Sequence, residues 1–377
     1  MNHANLEERN ALLTLARSFG EKEIAPVALD ADHSGEFPKA LYQKAAEAGL
    51  NALDIPEELG GAGLDSLTSC MMYEKLAHYD AGFSVALGAT GLAYKVLSLA
   101  GTPEQKKIFA DLVVGGGFAA FCLTEPGAGS DASAVMTKAV RDGDEYVISG
   151  SKCFITNGGI ADVYTVIAST DRSKGLKGLS AFLVERSRAG IVIGKKEDKM
   201  GIRLSNTCDV VFEDVRIPAN HLIGQEGHGF AIAMKTLDLS RPAVAACAVG
   251  LCQAAVDLSV NYSKERLSFG KPIAVLQGIQ FMLADMEIAT ETARQYVYHV
   301  ARLIEEGKPH SKQAAIAKCY AGDAAMKVTT DAVQVLAGYG YMREYPAEKL
   351  MRDAKIFQIF EGTNQVQRVV VAGSILR

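Results

Sequence analysis

The chain has 377 residues, 49% of them hydrophobic and 22% charged, with a formal net charge of −5. At roughly 150 residues per domain this predicts two or three globular domains around a large buried core, and it excludes a disordered chain, a collagen-like repeat and a disulfide scaffold. With 39 basic against 44 acidic residues, the basic excess that a phosphate backbone demands is missing, so no nucleic-acid partner is expected.

The opening MNHANLEERNALLTLARSFGEKE carries four glutamates and reads as an amphipathic helix, not as a signal peptide. From Leu6 to about Leu112 apolar residues recur at helical spacing, as in Leu12, Leu15 and Ala16 and again in Leu41, Ala45 and Ala48. Thr102-Pro103-Glu104-Gln105 has the form of a capping box with proline at the first helical position, and the helix it starts ends near Gly115-Gly116-Gly117. The glycine-rich Glu58 to Gly63 stretch follows no strand and precedes no GK[ST], so it reads as a turn.

From Phe118 to about Gly224 the period changes to two, with strand-like runs at 146–148, 164–168, 179–184, 191–193 and 210–212. Asp142-Gly143-Asp144 is a hairpin turn, and Pro218 closes the last strand. The helical period then returns over 229–258, 277–306, 311–338 and 344–360, broken at Gly307-Lys308-Pro309. The chain therefore divides into an N-terminal helical domain (1–117), a middle β domain (118–225) and a C-terminal helix bundle (226–377), a mainly α fold with a central β domain.

Cys70, Cys122, Cys153, Cys208, Cys247, Cys252 and Cys319 are scattered, odd in number and without CxxC spacing, which predicts reduced thiols in a cytoplasmic protein. Among seven histidines there is no HExxH and no tight pair, so no metal is expected. Nowhere do about 18 apolar residues run uninterrupted, so no membrane span is expected either.

Four stretches carry side chains suited to chemistry. Phe121 to Asp131, FCLTEPGAGSD, joins a strand to a loop whose glycines and hydroxyls suit either a hairpin or a polar heteroaromatic ring or phosphate. In Ser151 to Gly159, alternation puts Phe154 and Thr156 on one face, an aromatic wall beside a hydroxyl. Arg266, in YSKERLSFGKP, is either a surface cation ending a helix or an anion ligand. Glu361 follows the apolar pair Ile359-Phe360 and precedes a Gly-Thr helix start; it is either a solvated loop acid or a desolvated carboxylate of raised basicity.

Taken in order, LTEPGAGSD (123–131), KCFITNGG (152–159), ERLSFGKPI (265–273), QVLAGYGYMREYP (334–346) and MRDAKIFQIFEGTNQVQR (351–368) make the chain resemble the flavin-containing acyl-CoA dehydrogenases, from about Leu6 to Arg377. The resemblance is to the short- and medium-chain, butyryl-CoA dehydrogenase-like enzymes. It implies their fold: N-terminal helices, a middle β-barrel-like domain and a C-terminal four-helix bundle. It implies that Glu361 removes the α-proton of an acyl thioester while the β-hydrogen leaves as hydride to flavin N5. Some relatives carry the base at the position of Ser240, which cannot serve, so Glu361 is the candidate. Phe121, Leu123, Thr124, Ser130, Phe154 and Thr156 match residues around the flavin, with Phe154 in place of the common Trp. Arg266, Phe269, Gln277, Gln334 and Gly338 match residues that hold the FAD of a neighbouring subunit, and Thr363 and Gln365 match further FAD contacts. Ser130, Asp238, Arg241 and Gly362 match positions touching the acyl-CoA. Ala337 and Phe360 replace the common Gly and Tyr, and small residues at Ser84, Ala86 and Gly88 leave room for a short to medium acyl chain.

The resemblance further implies a homo-oligomer, a dimer of dimers, that passes electrons to electron-transferring flavoprotein. The same site run in reverse would reduce an acrylyl-, aryl- or cyclic enoyl-CoA, and a flavin-binding scaffold without catalysis is the alternative of a different class. An oxidase is disfavoured, because the chain is short for the extra C-terminal domain of acyl-CoA oxidases.

Overall fold

The computed structural model describes residues 3–376. Helix α1 (His3–Phe19) passes through one π-helical turn, Gly20–Ile24, into α2 (Ala25–Ser34), and α3 (Lys39–Glu47) follows Pro38. Helices α4 (Ser66–Ala77) and α5 (Ala81–Ala100) each begin on an aspartate that accepts a backbone N–H, Asp65 from Thr68 and Asp80 from Phe83. Each cap satisfies one of the donors left over at a helix start. Helix α6 (Pro103–Val114) opens on the predicted capping box. The Gln105 amide, besides closing that box, donates to the carbonyls of Asn220 and Leu222, so the cap also anchors the end of the β region.

The strands are β1 (Ala119–Cys122), β2 (Lys138–Asp142), β3 (Glu145–Thr156), β4 (Val163–Ser169), β5 (Leu179–Glu185), β6 (Ile191–Lys196), β7 (Thr207–Pro218) and β8 (Leu222–Ile223). They form one sheet in the order β6-β7-β3-β2-β4-β5-β8, with β1 parallel to β4. In the β2–β3 hairpin Asp142 opposes Glu145 and Gly143 takes φ +63°, the positive value a two-residue hairpin turn requires. The β3–β7 register shifts between Lys152 and Ile155, and Phe154 has φ +56°, a bulge that interrupts the strand just where Phe154 and Thr156 are presented.

Helix α7 (Gly229–Glu265) leads through the short hairpin β9 (Leu267–Ser268) and β10 (Lys271–Pro272) to α8 (Gln277–Glu305), α9 (Ser311–Leu336), α10 (Ala347–Ala354) and α11 (Asn364–Ile375). The mainly α fold with a central β region is as predicted, but three helix ends differ. Helix α7 runs to Glu265, beyond residue 258; α9 stops at Leu336 because Ala337 takes φ +53°; and the predicted helix over 344–360 shortens to α10 plus a 3-10 turn, Lys355–Gln358. Pro346 delays the start, since the residue before a proline leaves the helical region.

Helices α5 and α7 are long and apolar enough to cross a membrane by length and composition. Both lie mostly inside the protein, as an all-round apolar helix of a large core does. Met72, Tyr73, Phe83, Leu251, Val297 and Val328 lie in the core beneath the helices, and Tyr94, Phe109, Val163, Ile167 and Leu183 lie in the one between helices and sheet. Each such side chain contributes about 1.5–3 kcal/mol when fully buried.

A buried charge cluster joins the three regions. Lys349 Nζ, on α10, lies 2.6 Å from Asp80 Oδ2 at the start of α5 and 2.6 Å from Asp353 Oδ2. Asp353 Oδ1 accepts the N–H of Ile202, in the loop between β6 and β7, at 2.5 Å. Removing the cation leaves two desolvated carboxylates facing each other. Lys349→Met is therefore expected to cost about 3–5 kcal/mol of unfolding free energy, measured by urea denaturation, and a loss below about 1 kcal/mol would show that the cluster does not hold the regions together.

Candidate active site

Glu361 sits on the loop between the Lys355–Gln358 turn and α11, with φ +52°, followed by Gly362 at φ +87°. A left-handed non-glycine residue costs about 1–2 kcal/mol and persists only where its surroundings determine it. Here they do. Gln367 Nε2 donates to the carbonyls of Glu361 and Gly362 at 3.0 and 2.9 Å. Lys318 Nζ, buried on α9, donates to the Gly362 carbonyl at 2.7 Å and to Asn364 Oδ1 at 3.1 Å. Thr363 caps α11 by accepting the Val366 N–H at 3.1 Å. Burial pushes the Lys318 amine down to about 8, against the pull of Glu361.

The Glu361 side chain faces a cavity of about 220 Å³ enclosed by α4, α5, α7, β1 with its following loop, and the end of β3. Burial raises the carboxyl above the ordinary glutamate range, opposed by the Ser240 hydroxyl and by the charges of Arg241, Lys318 and Lys95. Ser240 Oγ lies 2.6 Å from Glu361 Oε2 and 3.1 Å from the Leu237 carbonyl. A hydroxyl has one proton, so it can donate to Glu361 while that residue is ionised and to Leu237 once Glu361 carries a proton of its own. Of the apolar pair before Glu361, Phe360 lines the cavity, set edge-on to Phe357 at 5.3 Å, whereas Ile359 is exposed.

Phe121, Leu123, Thr124, Phe154, Thr156 and, at the rim, Ser130 all line the same cavity. Phe154 and Thr156 thus share one wall, as the sequence pattern predicts. A buried ion pair fixes this wall. Lys152 Nζ donates to the Leu123 carbonyl at 2.9 Å and to Glu125 Oε1 at 2.7 Å, and Glu125 accepts the N–H groups of Met136 and Thr137 at 2.6 and 3.0 Å. Burial pushes Glu125 up, but Lys152 and the other donors outweigh it, so the carboxyl sits below its ordinary value. Sequence reasoning passed over Lys152 and Glu125; the available signal was one opposite charge inside each of the two motifs. Among the described residues no hydrogen bond engages the hydroxyls of Thr124, Ser130 or Thr156, and Phe154 presents a bare ring, 66% exposed.

Arg241 and Gly362 also line the cavity, and Asp238 stands behind, paired with Arg241. The Arg241 Nε, although buried, has no hydrogen-bond partner among the described residues. Of the three small residues assigned to the acyl end, only Gly88 reaches the cavity; Ser84 donates to the Tyr73 carbonyl and Ala86 is buried elsewhere.

The remaining candidates do not reach this cavity on the one chain. Thr363 is used as a helix cap, and Gln365 is exposed on α11. Arg266 and Gly338 line a separate cleft beside Tyr262, where the Arg266 guanidinium lies 5.1 Å from the centre of the Tyr339 ring. Near it, Phe269 is 95% exposed on the β9–β10 turn, Gln277 begins α8 and Gln334 lies exposed in the last turn of α9. Apart from both sites, Asp32, His33 and Glu348 cluster, but Arg352 already pairs with both carboxylates.

Comparison with known proteins agrees along the whole length. Family models described as the N-terminal, middle and C-terminal domains of acyl-CoA dehydrogenase match residues 6–116, 120–215 and 227–376. The short-chain specific acyl-CoA dehydrogenase of Megasphaera elsdenii is 49% identical over 97% of this chain and 97% of its own. The solved structure of butyryl-CoA dehydrogenase from the same organism superposes with a TM-score of 0.95 at 48% identity, covering 98% of each chain. A structure described as the electron transferring flavoprotein of Acidaminococcus fermentans, studied for flavin-based electron bifurcation, gives a TM-score of 0.97 at 47% identity over 100% of both chains. The chain belongs to the acyl-CoA dehydrogenase family.

Proposed function

We propose that this acyl-CoA dehydrogenase uses FAD to convert a short-chain acyl-CoA thioester to the trans-2-enoyl-CoA, with Glu361 as the base that removes the α-proton. The observation that carries the reading is a carboxylate of raised basicity held in a forced backbone conformation and aimed into the cavity. A free carboxylate is too weak a base for a thioester α-proton, and desolvation narrows that gap. The residues fit the cofactor: three unengaged hydroxyls and an exposed aromatic face line one wall, the set a polar heteroaromatic ring needs. Bound there, FAD supplies the acceptor for the β-hydride. The unpartnered Nε of buried Arg241 supports a role in holding the polar part of the thioester on the opposite side.

We further propose that the protein works as a homo-oligomer, a dimer of dimers. Arg266, Phe269, Gln277, Gln334 and Gly338 lie outside the Glu361 cavity, so an FAD contact by them requires a second copy. Exposed Phe281 and Ile288, two turns apart on α8, and Val369 on α11 supply apolar surface for such a contact. Electron-transferring flavoprotein is the proposed electron acceptor, supported by the family. The seven unpaired cysteines support a cytoplasmic setting.

Glu361→Gln keeps shape and flavin but removes the base, so flavin bleaching by butyryl-CoA under anaerobic conditions is expected to slow about 10²- to 10⁴-fold; bleaching at the native rate would transfer the role to another group. Because ionised Glu361 does the work and its carboxyl is raised, the acid limb of the reduction rate lies above the ordinary glutamate range. Ser240→Ala withdraws a donor that stabilises the anion and should move that limb to still higher pH. An unmoved limb in stopped-flow pH profiles would remove Ser240 from the tuning of the base. Phe281→Asp should shift sedimentation toward smaller species and release flavin, and an unchanged assembly would place the subunit contact elsewhere.

A further inference from the structure

Helix α5 presents a single stripe to the active-site cavity, Val85, Gly88, Leu92 and Lys95, spaced three or four residues apart. Three of these suit a hydrocarbon chain; the fourth does not. An ammonium group drawn largely out of water, as the 17% exposed Lys95 side chain is, needs acceptors in place of that water. Lys95 Nζ has one protein acceptor among the described residues, Asp54 Oδ1 at 3.0 Å, which leaves two of its three N–H groups without a protein partner. Asp54 is by contrast fully engaged, since the Tyr73 hydroxyl donates to Oδ2 at 2.8 Å and the Ser69 hydroxyl to Oδ1 at 3.3 Å. Burial pushes the Asp54 carboxyl up, but Lys95 and these hydroxyls outweigh it, so it stays ionised and the pair is neutral as a whole.

The cluster is built closely into the helix. A Cβ at residue 91 would stand 2.0 Å from Asp54 Oδ2 and 3.1 Å from the Tyr73 hydroxyl, so Gly91 is what lets the carboxylate lie against α5. Lys95 also lines a second cavity of about 180 Å³, bounded by Ser66, Ser69, Ser98 and Tyr94, so the amine stands in the partition between two chambers.

We infer that Lys95 forms a polar subsite of the acyl chamber, taking an acyl-CoA whose chain ends in an uncharged oxygen, a hydroxyl or keto group, ahead of a plain hydrocarbon chain of equal length. The acceptor is uncharged because Asp54 already balances the lysine, and a second carboxylate would have to shed its water for a cation it shares. Hydrocarbon chains that stop short of Lys95 meet the apolar lining of the chamber, Val85, Ala89, Leu92 and Val244 among it, and remain substrates.

This inference rests on the dehydrogenase reading, and the test separates the two. The FAD-loaded protein is given straight-chain thioesters from butyryl- to octanoyl-CoA, each beside its ω-hydroxy and ω-carboxy counterparts. Flavin bleaching gives kcat/KM, and calorimetry on Glu361→Gln gives Kd. At the length that reaches Lys95, the ω-hydroxy compound should exceed the hydrocarbon about tenfold or more in both measures. In Lys95→Met that ratio should fall by about the same factor. Since Lys95→Met leaves Asp54 unpaired, Lys95→Met/Asp54→Asn removes both charges and should give the same fall. A hydrocarbon preference at every length, or a ratio unchanged in both variants, overturns the subsite while bleaching by butyryl-CoA leaves the dehydrogenase standing. A preference for the ω-carboxy series overturns the uncharged assignment. Flavin that no thioester bleaches overturns the dehydrogenase reading and the subsite with it.

Discussion

The active site depends on one constrained residue: Glu361 in a left-handed backbone conformation it would not adopt alone. An ordinary loop would let the carboxylate turn toward water, where it would be a weaker base and a mobile one. Lys318 and Gln367 hold the loop by its carbonyls, leaving the carboxylate free to face the cavity. The loop follows the point where the predicted last helix stops short. Shortening α10 and tightening the chain through 355–358 into a 3-10 turn gives the reversal that a continuous α-helix would have prevented.

Buried lysines recur as the device that fixes each wall. Lys152 ties the motif after β1 to the end of β3, Lys318 ties α9 to the base loop, and Lys349 ties α5, α10 and the β6–β7 loop. An ammonium group has three donors on a flexible stem, so it can join elements approaching from different directions where a planar guanidinium would impose its own geometry. Charge desolvation makes such anchors poor sources of net stability, yet breaking one is expensive, which confers a single arrangement of the domains around the cavity. Lys95 differs from these three, each of which has two acceptors among the described residues: it has one and faces the substrate side.

Most of the scaffold was legible because it follows from local rules. Capping at Thr102, the turn at Gly143 and the change of period between helices and strands are all set by neighbours in sequence. Three backbone conformations were not legible. Phe154, Ala337 and Glu361 all take positive φ without being glycine, and no propensity marks such residues, because long-range contacts impose the conformation. The motifs placed Glu361, Thr124 and Phe154 at one cavity, whereas Ile359, Thr363 and Gln365 share the motif and lie away from it. Proximity in sequence to a functional residue says little where the backbone reverses within three positions. Ser240 was dismissed as a base and emerges as the base's hydrogen-bond partner, a relation between residues 121 positions apart that no local pattern encodes.

The base and its surroundings also set a conflict between stability and activity. A carboxyl raised by burial binds its proton more tightly folded than unfolded, so the fold loses stability as pH climbs from the unfolded glutamate value to the folded one, and the deficit persists above it. That upper range is where ionised Glu361 can act, so the protein is catalytically competent only where the site destabilises it most. Ser240, Arg241, Lys318 and Lys95 each reduce the deficit by favouring the anion, and each thereby weakens the base. The site balances these pulls by supplying its opposing charges from fixed elements and, among the described residues, only one direct hydrogen bond from a side chain, the Ser240 hydroxyl, whose proton can turn to Leu237 when Glu361 takes up a proton from substrate. A cation in direct contact with Glu361 would hold the anion too well to let it accept that proton; a rotating hydroxyl serves both states of the base.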